Sequence, residues 1–313
     1  MIDPRKLLLV MAVILASCGE GDRQAVNEDV TAQIPEGTLV ITSNYPLYFF
    51  ASRITEGVEA APEIVYPAID GDPAYWIPSA EQIQLLQSAD LILLNGAGAE
   101  SWLDLITLDR RRLVDTSVNI ADDLIPLEES VQHQHGPEGE HSHQGTAFTL
   151  WLDPQLAIVQ AQAVTSALSE LAPSAAAQLH DNMAILQQEL SLLDTKLAEL
   201  FTMLDGRPLL FSHPVYQYLQ QRYSLNGRSV HWEPDVEPTT SAWIELQQIL
   251  AEHPAKFMLW EEQPLSSTVE RLARSGLKVL VFYTAANRPA EGDYLTVMDS
   301  NTESIALFLQ EPQ

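Results

Sequence analysis

One cysteine, Cys18, is all that 313 residues contain, so no disulfide can form within the chain and no Cys-x-x-Cys metal knuckle or redox pair exists. Basic side chains are scarce: 16 Lys and Arg stand against 43 Asp and Glu, a formal charge of −27. That balance repels polyanions and argues against nucleic acid as a partner. Long apolar runs are missing as well, since residues 7–16 are too few to cross a bilayer as a stable helix. The chain also lacks a Gly-x-Ser-x-Gly elbow and a phosphate-cradling glycine loop, so it reads as a non-enzyme.

What is present begins with Arg5 and Lys6 ahead of the short apolar run, the pattern of a signal peptide over 1–17. The run ends in Leu15, Ala16, Ser17 and Cys18, small residues before a thiol that can carry a diacylglycerol; this resembles a bacterial lipobox, with Cys18 as the expected lipid attachment. Gly19 follows instead of Asp, so the usual inner-membrane retention signal of Gram-negative lipoproteins is absent and the choice of membrane stays open. Residues 18–37 are polar, without apolar periodicity, and read as a tether. The expected location is the periplasmic or extracellular face, anchored to the membrane by lipid. Acidic surfaces gather divalent cations, but a solvated face suited to saline surroundings explains most of these carboxylates equally well, so charge alone establishes no metal function.

From residue 38 onward, β-rich runs alternate with helical segments, which predicts parallel sheets flanked by helices. Strands are expected at 39–42, 63–66, 91–95 and 113–115, with helices at 47–54, 80–88 and 100–105; Ser79 with Gln82 forms a capping box for the second helix. A second series repeats the pattern with strands at 209–212, 229–232, 257–260 and 278–282 and helices at 215–223, 242–252 and 268–275. Between them Leu179, Met183, Leu186, Leu190, Leu193, Leu197, Leu200 and Leu204 recur by fours and threes. One helix over 174–204, N-capped by Ser174 and ~45 Å long at ~1.5 Å per residue, would run along both lobes; a coiled-coil dimer is the competing reading. The expected organisation is an α/β fold of two parallel-sheet lobes: 38–153 with a His-rich loop at 128–147, helices over 154–205 including the long rigid inter-lobe one, and 206–313.

Several stretches resemble the zinc/manganese-type, ZnuA-like solute-binding lipoproteins of metal ABC transporters. They are Asn44-Tyr45-Pro46-Leu47-Tyr48, Asp72-Pro73 followed by Pro78-Ser79, Ala89-Asp90 with Asn95-Gly96, and Glu100-Ser101-Trp102-Leu103. Later come Trp151-Leu152-Asp153-Pro154, Phe211-Ser212-His213 with Tyr218-Leu219 and Arg222-Tyr223, and Glu261 with Gln263. The resemblance implies two α/β lobes joined by a long helix, a metal held in the cleft between them, an ABC permease as partner and a monomeric protein that captures Zn2+, or Mn2+, as transported ligand.

It also implies a ligand set of three histidines and one carboxylate, and here the match breaks. Ala74 stands where the first histidine is expected and Thr149 where the second is; His213 and Glu261 remain. Neither a methyl nor a threonine hydroxyl replaces an imidazole as a strong zinc ligand. Nearby groups that could rebuild the site are His231, Glu233 and Asp235, at a strand-to-loop transition, and Glu262 beside Glu261. Packing or solvation accounts for His231 and Asp235 equally well. His133, His135, His141 and His143 lie among Gly136, Pro137 and Gly139 and read as a mobile auxiliary metal loop, of modest affinity because ordering it costs entropy; a tolerated insertion is the other reading. Tyr45, Trp76, Trp232 and Trp260 flank the expected ligand positions. If they line the cleft, the cargo could be an organic or metal-chelate ligand gripped by stacking.

Overall fold

A computed structural model describes residues 37–69, 71–127, 131–134, 140–143 and 145–310. The signal-peptide and tether readings, Cys18 included, lie outside these residues. The first lobe opens with β1 (Leu39–Thr42), α1 (Tyr45–Thr55), β2 (Glu63–Val65), α2 (Ala80–Ser88), β3 (Leu91–Leu94) and β4 (Leu113–Asp115). These strands form an all-parallel sheet in the order β2-β1-β3-β4. The central strands read LVIT and LILL and are buried throughout, because helices and loops cover both faces of a parallel sheet. Asn44 starts α1, its Oδ1 accepting from the Leu47 N–H at 3.0 Å with Pro46 in the first turn. The capping box expected at Ser79 and Gln82 is present.

The His-rich segment, expected to be a mobile loop, forms an antiparallel ladder of β5 (Val131–Gln134) and β6 (Glu140–His143), with His133 opposite His141 and Val131 opposite His143. Leu127 N–H donates to Gly145 O and Ala147 N–H to Ile125 O, both at 2.9 Å, so the segments on either side of the ladder are paired close to Thr149. His135 falls outside the described residues.

Then come α3 (Pro154–Leu171) and α4 (Ala176–Thr202), followed by the second lobe: β7 (Leu209–Phe211), α5 (Gln217–Arg222), β8 (Gly227–Ser229), α6 (Thr240–Glu252), β9 (Phe257–Trp260), α7 (Ser266–Arg274), β10 (Lys278–Val281) and α8 (Tyr294–Gln310). Its sheet is also parallel, in the order β10-β9-β7-β8. The strand expected at 229–232 ends at Ser229, although Val230 N–H still bonds Phe211 O and Trp232 N–H bonds Ser212 O.

The long helix is shorter at its start than expected. Ser174 lies in a 3-10 turn, Pro173–Ala175, and Ala175 occupies the N-cap without a side-chain hydrogen bond, because Pro173 sets the preceding turn. Its leucine face is covered inside the chain: α4 packs on α1, α3 and α8, and Leu179, Leu186, Leu190, Leu193 and Leu197 are buried. The coiled-coil reading therefore fails. One apolar cluster runs through Val40, Leu91 and Leu93 of the first sheet, along α4, to Leu209, Phe211, Phe257 and Leu259 of the second. A polar strut reinforces it: the Arg222 guanidinium donates to both Asp194 oxygens, at 2.9 and 2.6 Å, and the same carboxylate accepts from Tyr223 and Gln155 at 3.0 and 2.9 Å. No described helix is long and apolar enough to cross a membrane.

Candidate metal centre

Parallel strands leave their carboxyl ends at one sheet edge, where backbone turns away and side chains are released to bind. In the second lobe three such ends deliver donors to one place. His213 stands two residues past β7, Glu233 four residues past β8, and Glu261 immediately after β9. Their ligating atoms all lie within 4.8 Å of one another, and His213 Nδ1 is 3.4 Å from Glu233 Oε1. Donors bound at ~2.1 Å to one ion are separated by ~3 to ~4 Å, so small side-chain adjustments would seat a cation among them. His213 is 5% exposed.

The electrostatics point the same way. Burial, then the charges of Asp235 and Asp72, push the Glu233 carboxyl up to about 7. Burial, then Glu233, Asp72 and Glu262, push Glu261 up to about 8. Carboxyls that resist ionising together are relieved by a divalent cation, which neutralises both.

The cleft in front of these groups holds roughly 1400 Å³ and is lined by Tyr66, Asp72, Thr149, Glu233, Glu261 and Arg288, among others. Asp235 and Glu262 line it too, as exposed side chains outside the close triad. His231 is exposed; its ring centre is 6.2 Å from that of His213, and it does not join the triad. Ala74 is buried and does not line the cleft, whereas Thr149 does and its hydroxyl donates to Val215 O at 2.6 Å. Asp72, which the sequence reading used only as a family marker, lines the cleft and acts electrostatically on both glutamates. Its one sequence signal was its place immediately before Pro73.

The aromatic expectation is corrected. Trp76 packs edge-on against Trp102 in the first lobe's outer core, and Trp232 packs with Trp243 and Trp260 in the second lobe's. Neighbouring residues at a strand end face opposite ways, so the release of Glu233 and Glu261 into the cleft goes with burial of Trp232 and Trp260 behind the sheet. Tyr45 is also buried, in the shared core, beside Tyr48 and Tyr66.

A model of one protein family, "ZnuA: Zinc-uptake complex component A periplasmic", matches residues 40–307, nearly the whole described body. The chain belongs to this family. Among relatives it is 26% identical over 279 residues to the zinc-binding lipoprotein AdcA of Streptococcus pneumoniae, covering 85% of this chain and 54% of that one, so it spans about half of that relative's length. Against the high-affinity zinc uptake system protein ZnuA of Bacillus subtilis it is 23% identical over 302 residues, covering 94% and 93%. The crystal structure of the metal-dependent lipoprotein YcdH from Bacillus subtilis superimposes with a TM-score of 0.71 at 22% identity, covering 86% of this chain and 97% of that one. At that identity the likeness speaks for the fold alone, two α/β lobes with parallel sheets.

Proposed function

We propose that this protein captures a divalent metal ion of the zinc or manganese class outside the cytoplasm and delivers it to an ABC permease, held to the membrane through a lipid on Cys18. The observation that carries the reading is the convergence of His213, Glu233 and Glu261 within 4.8 Å at the carboxyl edge of the second sheet. In this reading these three are the principal ligands, with Asp235, Glu262 and His231 as an outer ring that concentrates cations. Kinship with relatives named for zinc binding and zinc uptake supports the class of cargo. The work is binding and release, with no chemistry performed on the cargo. His133, His135, His141 and His143 would serve as an auxiliary collector, since imidazoles suit zinc. The loss of the tryptophans from the cleft removes the support for a stacked organic cargo.

Calorimetric titration of zinc chloride and manganese chloride into the purified protein, with and without residues 128–147, tests this. One tight site that survives loss of the His-rich segment is the expected result. Binding no tighter than about micromolar for both ions, a free energy of only about −8 kcal/mol, would remove the proposal.

A further inference from the structure

The close triad comes entirely from the second lobe, and a four- or six-coordinate cation needs at least one donor more. The first lobe faces it across the cleft with few means of supplying one. Ala74 is buried away from the cleft, and the Thr149 hydroxyl is engaged with Val215 O. Asp72 lies on the same wall. It lines the cleft together with Glu233 and Glu261, and also a small adjoining cavity of about 30 Å³ shared with Thr149 and His213. Its Oδ1 accepts from the Ala74 N–H at 2.9 Å, which caps the 3-10 turn Pro73–Tyr75 and fixes the carboxylate at the cleft wall. Asp72 stands outside the 4.8 Å set, so engaging it takes a further movement of side chain or lobe.

We infer that Asp72 is the first lobe's metal ligand, so that a bound divalent cation is clasped between His213, Glu233 and Glu261 on one side and Asp72 on the other. The inference rests on the metal-binding reading above and sharpens it. A shell of one imidazole and three carboxylates is rich in oxygen, and such shells suit manganese(II) better than a three-imidazole shell does. The cleft therefore favours zinc over manganese by a smaller margin than a three-histidine site would.

The test titrates zinc chloride and manganese chloride separately into the whole protein and its variants. Asp72→Asn keeps an acceptor for the Ala74 N–H while removing the charge, so its melting temperature in the absence of metal should not fall. Its affinity for both ions should drop by about 100-fold, the upper end of what even an outer-shell partner costs. Asp72→His, which places an imidazole at the same point, should bring zinc affinity back to within about tenfold of the unsubstituted protein. An Asp72→Asn variant that binds as tightly as the unsubstituted protein would overturn the inference. So would an Asp72→His variant as weak as Asp72→Asn, because Asp72 would then act only as a charge at a distance. If Glu261→Gln abolishes binding while Asp72→Asn does not, the second-lobe site stands and only the role of Asp72 falls. An unsubstituted protein that binds neither ion overturns both readings.

Discussion

The sheet β2-β1-β3-β4 and the sheet β10-β9-β7-β8 are built alike, yet their carboxyl edges are used differently. At the first edge the polar groups are spent on one another. Asn44 donates to Asn95 Oδ1 at 3.1 Å, Gln160 donates to the same oxygen at 3.2 Å, and Ser43 donates to Glu100 at 2.6 Å. Burial pushes the Glu100 carboxyl up to about 7, but Ser43 and the N–H groups of Asn95 and Gly96 hold its oxygens. At the second edge Glu233 is raised by burial and by Asp235 and Asp72, Glu261 by burial and by Glu233, Asp72 and Glu262, and both face an open cleft. A buried acid by itself therefore marks no binding site. The deciding feature is whether its neighbours are donors that satisfy it or further acids that only a cation could reconcile.

The strongest challenge to the comparison strikes what the lobes share. Leu190→Ala opens a cavity where α4 is fully buried and should cost about 2–5 kcal/mol, read by denaturant unfolding, without distinguishing one lobe from the other. Next, His213→Ala should lower zinc affinity by at least about 100-fold in calorimetry, whereas Glu100→Gln should leave it unchanged and lower only the melting temperature. Equal losses from the two substitutions would erase the distinction between the edges. Thr149→His adds an imidazole to the impoverished wall beside His213 and should raise zinc affinity by about tenfold, or 1.4 kcal/mol, with less gain for manganese.

The smallest effect is on pH. Glu233 and Glu261 hold their protons more tightly folded than unfolded, so their contribution to stability is present below the ordinary carboxylate range and is lost as pH rises through about 7 and 8. Metal-free protein should melt at a lower temperature near pH 8.5 than near pH 6, and saturating zinc should reverse that order. A metal-free melting temperature that rises over this interval would contradict the assignment of the second edge as the unreconciled one.

Much of the fold was legible because parallel strands leave continuous apolar runs: Leu39–Thr42, Leu113–Asp115 and Phe257–Trp260 fall where the sequence reading placed them. The leucine spacing of α4 was legible for a similar reason, since a buried helix face cannot vary its period. α8 was not, because Asp299, Ser300, Asn301 and Thr302 interrupt its apolar pattern. Asn301 is nevertheless buried, donating to Tyr283 O at 2.8 Å and accepting from Tyr283 N–H at 2.9 Å, a tertiary role that no local pattern encodes. At the site, His213 and Glu261 were expected from the family resemblance and Glu233 from its place at a strand-to-loop transition, and the structure brings the three within 4.8 Å. The tryptophans were misplaced because closeness in sequence was taken for closeness in space, although strand alternation turns adjacent side chains apart. Asp72 was quoted only as a family marker, because Glu233 and Glu261, with which it lines the cleft, lie far from it in sequence.

The single apolar cluster that threads both sheets along α4 has a thermodynamic corollary. Neither half owns a complete interior: residues 206–310 expressed alone would leave the Leu209, Phe211 and Leu259 part of this cluster without its α3 and α4 neighbours and should aggregate. The intact body should accordingly lose heat-absorbing order in one calorimetric peak, with van 't Hoff and calorimetric enthalpies in agreement, where two self-sufficient halves would give two.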